Sequence, residues 1–141
     1  APLPVCVTVS LLDGLVYARS WFNHSVNYRS VVIHGDAHLV TDPDDKTRLL
    51  AAFVNRFGAG RADASRPPTP RELAATAVLA VDLSADGTDI AVKRRAGGPA
   101  DDPADLDLSY WAGVVPVRLA AGQPESAVDL PVPTSLAPTL G

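Results

Sequence analysis

The residues here that could carry chemistry are three adjacent cations, Lys93-Arg94-Arg95, three histidines, His24, His34 and His38, and a single thiol, Cys6. If residues 89–95 form a strand, Lys93 and Arg95 project to one side and Arg94 to the other. A phosphate needs fixed cations, and the planar fork of Arg suits it. The alternative for Lys93 and Arg95 is a solvated strand end, and both readings stay open. His34 and His38 share a side on a strand, but no third metal ligand accompanies them. His24 falls in a loop, where it could reach a substrate or simply face solvent. Cys6 lies in an apolar run and is expected to be a buried, inert thiol. No Gly-x-Ser-x-Gly elbow and no glycine-rich phosphate loop is present. Asp101, Asp102, Asp105 and Asp107 lack calcium-loop order and read as a solvated loop.

The elements that would position these residues follow from periodicity. Residues 5–12 alternate apolar and polar as a strand, and Asp13-Gly14 before residues 15–18 predicts a tight hairpin. Residues 20–27 read as a loop, and 28–40 as a long strand broken or bent at Gly35. Asp42-Pro43-Asp44-Asp45 predicts a helix start, with Asp42 as N-cap and Pro43 in the first turn. Leu49, Leu50, Phe53, Val54 and Phe57 then give it one apolar face, expected to be buried. Thr69 and Glu72 have capping-box spacing for a short second helix. Strands are expected over 76–83, 89–95 and 111–119, the last holding Pro116 at an edge or bulge. The order favours antiparallel β with inserted helices, an α+β class, over a doubly wound sheet.

The chain of 141 residues fits one domain over 1–121 and a Pro-rich tail over 122–141. Its net charge of −4 argues against a nucleic-acid-binding surface. No apolar run is long enough for a membrane helix, no secretory signal is visible, and one cysteine fits a reducing cytoplasm. Residues 5–9 are too apolar for a comfortable edge strand. With Ala1 at the start and no Met, they lead us to expect neighbouring strands from an upstream segment or a partner.

Several stretches together resemble flavin-binding proteins related to pyridoxamine 5'-phosphate oxidase, in the nitroimidazole-reductase-like (NimA-like) branch. They are residues 5–16 (VCVTVSLLDGLV), 18–20 (ARS), 24–32 (HSVNYRSVV), 91–93 (AVK) with Arg95, Gly98, Pro99, Asp101 and Asp102, and 111–116 (WAGVVP). In the family's order and spacing, they cover most of residues 4–120.

The resemblance implies a split β-barrel homodimer with FMN at the subunit interface and a small-molecule substrate. It implies flavin contacts at Ser30 first, then Arg29, Tyr28 and Asn27, and phosphate contacts at Lys93 and Arg95. Trp111 would cap the flavin or, as the preferred reading, fill the barrel. Family members carry an upstream His-Gly-Ser-like loop and a following Arg that hold the phosphate. His34-Gly35-Asp36 lies in the wrong order to replace that loop, so the chain is expected to lack the family's N-terminal part. The functional expectation is an FMN-dependent oxidoreductase, with no catalytic side chain assigned. A non-catalytic flavin-binding or structural dimer module is the alternative, and a deazaflavin or haem in the same barrel a third.

Overall fold

A computed structural model describes residues 2–133, which fall into two compact units. The larger comprises residues 2–36 and 82–119, the smaller residues 37–81 with 120–133. The elements are β1 (Leu3–Tyr17), β2 (Ser25–Leu39), α1 (Pro43–Val54), α2 (Pro70–Ala75), β3 (Leu79–Val81), β4 (Asp89–Arg95) and β5 (Gly113–Pro116). Antiparallel β with inserted helices is therefore the architecture. No helix among the described residues is long and apolar enough to cross a membrane.

In the larger unit β2 lies between β1 and β4, and β1 also pairs β5. The β2–β4 register sets Tyr28 opposite Arg95, Arg29 opposite Arg94, Ser30 opposite Lys93 and Val31 opposite Val92. β5 meets β1 only over Gly14–Tyr17, with Val117 N donating to Asp13 O at 3.0 Å. Residues 3–12 of β1 thus have no strand partner on that edge among the described residues, as their composition led us to expect. Val7, Val9 and Leu11 on one face and Leu12 on the other are exposed. Pro116 ends β5 on the register opposite Gly14 and costs no ladder bond there.

The hairpin expected at Asp13-Gly14 is not formed. β1 runs straight through the pair, and neither residue has positive φ. Gly14 serves a close approach instead: a Cβ there would lie 3.1 Å from Val114 Cγ1 and 3.2 Å from Val115 O. Gly14→Val is expected to destabilise the protein by about 1–3 kcal/mol through overpacking, and Gly14→Ala by less. Chemical denaturation of the two variants checks the order.

In the smaller unit the local signals hold. Asp42 Oδ1 accepts from Asp45 N at 2.9 Å, and Pro43 opens α1. Thr69 and Glu72 form the expected capping box on α2, with Arg66 holding the Glu72 carboxylate through two bonds of 3.0 and 2.9 Å. Those Arg66 bonds, then the bonds from Thr69, hold the Glu72 pKa at about 2 instead of 4.5. A depressed carboxylate pKa contributes stability above its unfolded value and loses it as pH falls through the folded one. Amide exchange in α2 should therefore accelerate as pH drops from 4.5 towards about 2, relative to the intrinsic rate. Thr69→Ala should remove about 1 kcal/mol of helix stability at neutral pH.

Other expectations need correcting. The apolar face of α1 is only half-buried at Leu49, Leu50 and Val54, and beyond them Phe53 and Phe57 are 61% and 69% exposed and meet edge to face at 5.5 Å. Cys6 is exposed. β2 is continuous through Gly35; it pairs β4 as far as His34 and β3 from Ala37. The strands expected over 76–83 and 111–119 shorten to three and four residues. Residues 123–133 contain no helix or strand; the rest of the expected tail, 134–141, lies outside the described residues.

Candidate functional site

Side chains directly opposite in an antiparallel pair share a face. The β2–β4 register therefore sorts the candidates. Tyr28, Ser30, Lys93 and Arg95 lie on one face, and Arg29 and Arg94 on the other. Two arginines face to face repel, and Asp13 relieves this. Its carboxylate accepts from Arg29 Nε at 2.9 Å and Nη2 at 2.8 Å. Hydrogen bonding from Arg29 outweighs the opposing effect of desolvation and, with the charges of Arg29 and Arg94, holds the Asp13 carboxyl below its ordinary range. Arg29 is thereby committed to Asp13. Val9, Leu11, Val31 and Val92, with Arg29, Ser30, Lys93 and Arg94, line a hollow of about 300 Å³.

Asn27 is one of the few buried polar residues, 7% exposed. Its Nδ2 donates to Gly97 O at 3.0 Å, and its Oδ1 accepts from Arg95 Nη1 at 3.1 Å. The chain turns at Gly97 with φ +136°, which glycine tolerates. Asn27 so fixes both the end of β4 and the direction of Arg95. The Lys93 side chain makes no hydrogen bond or ion pair among the described residues and remains available to an anion. Trp111 does not fill a core: it is 66% exposed, with its ring 5.6 Å from Tyr17 and over Gly113. The structure thus brings together Asn27, Tyr28, Ser30, Lys93 and Arg95, turns Arg29 away, and gives Trp111 a setting of its own.

One contact was missed in the sequence. Asp101, expected in a solvated loop, has a side chain only 2% exposed. It accepts from Arg19 N at 2.8 Å and from Arg19 Nη1 at 2.7 Å. Burial pushes its pKa up, but the Arg19 bonds, the Arg19 charge and that of His24 together hold it below the ordinary value. Both residues lay in runs that carried the resemblance, but no local signal links positions 82 apart.

A family model for pyridoxamine 5'-phosphate oxidase matches residues 1–87. The chain belongs to the pyridoxamine 5'-phosphate oxidase family. Its antiparallel sheet with few helices is the split β-barrel fold of that family. Two solved structures are similar. The flavocytochrome Anf3 from Azotobacter vinelandii is 38% identical, with a TM-score of 0.84 over 95% of this chain and 63% of its own. The FAD and haem binding protein from Mycobacterium smegmatis is 37% identical, with a TM-score of 0.84 over 96% of this chain and 66% of its own. The chain spans slightly under two thirds of either structure's length. None of the curated proteins compared with this family member matches it.

Proposed function

We propose that this chain is a flavin-binding oxidoreductase module whose flavin nucleotide lies along β2 and β4, with FMN as the first choice. The observation that carries this reading is the shared face of Tyr28, Ser30, Lys93 and Arg95, in a member of this family. The residues suit the group. A flavin nucleotide needs cations for its phosphate, and Lys93 has no competing partner among the described residues while Arg95 is oriented by Asn27. It also needs hydrogen-bonding groups for the edge of its ring, which Ser30 and Tyr28 offer. Bound flavin supplies the hydride and electron chemistry. The chain's own residues hold the phosphate, orient the ring and set the charge around it. Because Arg29 is committed to Asp13, the phosphate role goes to Lys93 and Arg95. A homodimer with the flavin at its interface accompanies this reading, supported by the apolar side chains exposed on β1; light scattering on the purified protein should give twice the chain mass.

The test is the absorbance of the purified full chain. A yellow protein that releases FMN on heat denaturation supports the reading. Release of FAD keeps the flavin but changes its identity. Colourless protein that leaves the fluorescence of added FMN and FAD unquenched rejects it and favours the non-catalytic module.

A second reading adds haem. Its support is that both solved structures, which match over 95% and 96% of this chain, are of haem-containing proteins by their descriptions as a flavocytochrome and a haem-binding protein. A shifted, sharpened Soret band that co-elutes with the protein on gel filtration after haemin addition would support it, and haemin that elutes apart from the protein with an unchanged spectrum would reject it.

A further inference from the structure

We infer that the open edge of β1 is the seam of the homodimer, pairing antiparallel with the same edge of a second copy about a twofold axis at Val7. The inference rests on the homodimer proposed above. Val117 N donates to Asp13 O, so on the β5 side of β1 it is the odd-numbered residues that offer their main-chain groups. Along the unbroken strand, the N–H and C=O of Leu3, Val5, Val7, Val9 and Leu11 therefore point to that edge. No backbone partner meets them there among the described residues. The side chains agree with an uninterrupted alternation. Asp13 meets Arg29 on one face of the sheet and Cys6 approaches His34 on the other, as odd and even positions should.

Exposed strand edges are normally blunted by a charge, a proline or a bulge. This edge has none of them. Residues 3–12 carry no charged side chain, and Pro4, as an even position, takes no donor from the edge. What the edge has instead is symmetry. The residues that face it run Leu, Val, Val, Val, Leu, the same from either end about Val7. A twofold interface requires such a self-complementary surface, because every contact occurs twice. Pairing about Val7 sets Leu3 against Leu11 of the second copy, Val5 against Val9 of the second copy, and Val7 against its own counterpart. Every free N–H then meets a free C=O, and apolar neighbours meet across the seam. On the other face Cys6 meets Thr8 of the second copy. Leu3, Val7, Val9 and Leu11, exposed in the single chain, become part of one apolar face continuous through both copies. β2 stands one strand from the seam, which keeps the Ser30 face beside the partner. An unrelated strand could use the same edge, but it would not require the palindrome.

The experiment measures the mass of the purified full chain by sedimentation velocity for wild type, Val7→Lys, Val7→Glu and an equimolar mixture of these two variants. Position 7 meets only position 7 of the other copy. Like charges there should raise the dimer dissociation constant more than about tenfold in each variant alone. The mixture should return to a dimer, which a folding defect could not do. Thr8→Cys gives a second readout. Opposite residues of a non-hydrogen-bonded pair have Cα atoms about 4.5 Å apart, within disulfide reach. Mild oxidation should therefore link Cys6 of one copy to the new thiol of the other. In wild type the two Cys6 residues are diagonal neighbours about 7–8 Å apart and should stay unlinked, as should Thr8→Cys combined with Cys6→Ser. A wild-type dimer that tolerates both charges and forms no link overturns the seam and leaves the homodimer reading standing. A wild-type monomer overturns both.

Discussion

Lys93→Ala combined with Arg95→Ala is expected to weaken FMN binding by a factor on the order of 10³. A hydrogen bond to a charged group contributes about 1.5–3 kcal/mol, or between ten- and hundredfold in Kd for each cation lost. The two single variants should differ in kind. Lys93 has no partner among the described residues, so Lys93→Ala removes only what it gives to the ligand. Arg95 also bonds Asn27 Oδ1 and Val26 O, so its loss frees the buried Asn27 amide and loosens the chain at Gly97. Riboflavin separates the causes, since it has the ring without the phosphate. Fluorescence titration should show Lys93→Ala losing FMN affinity while keeping riboflavin affinity, with Lys93→Arg near wild type. Equal losses for both ligands would place Lys93 against the ring and refute the phosphate assignment. Arg29→Ala should change FMN affinity little, because that guanidinium holds Asp13 on the opposite face.

The difference between Arg29 and Lys93 shows what the sequence could convey. Strand alternation placed Arg94 opposite in sense to Lys93 and Arg95, and that holds. Which face Arg29 joins depends on a register between strands some 60 residues apart, and periodicity carries no register. Local signals were legible for the same physical reason that distant ones were not. The N-cap at Asp42 and the box at Thr69 and Glu72 involve groups three residues apart, so composition nearly determines them. Asp13-Gly14 has the composition of a hairpin turn and yet runs straight. Asp13 is needed by Arg29, and Gly14 by the backbone of β5, both tertiary demands that override local preference. Phe53 and Phe57 teach a related limit. Helical spacing identifies the face that a partner surface would cover, but not whether these 141 residues supply the cover. Cys6 was read as buried on the same reasoning and is exposed for the same cause. The resemblance named Tyr28, Ser30, Lys93 and Arg95 together, residues that only the β2–β4 register sets on one face, but it named Arg29 with them, which that register sets on the other.

Asp101→Ala is expected to lower the melting temperature by about 5–10 °C at pH 7. The carboxylate meets both the backbone N–H and the guanidinium of Arg19, and its side chain is almost fully buried. Arg19 Nε and Ser20 Oγ are already buried without a partner among the described residues, so nothing nearby can take over when Asp101 is lost. Asp101→Asn keeps one oxygen acceptor but sets an amide against a cation, and should fall between wild type and Asp101→Ala. The pH dependence has a definite sign. Burial raises the Asp101 pKa, but the Arg19 bonds, with the charges of Arg19 and His24, outweigh it and leave the carboxyl below its ordinary 3.8. A carboxylate so depressed stabilises the fold above its unfolded pKa and loses that contribution as pH falls through the folded value. The gap between wild type and Asp101→Ala should therefore stay constant from neutral pH down to about 5 and close on further acidification. Added salt should close little of it, because a pair with one partner out of solvent is weakly screened. Thermal melts across that range decide the matter: a gap that closes with added salt at neutral pH as fully as it does with acid would mean Asp101 acts through screened surface charge, and its role in tying residue 101 to the end of β1 would have to be abandoned.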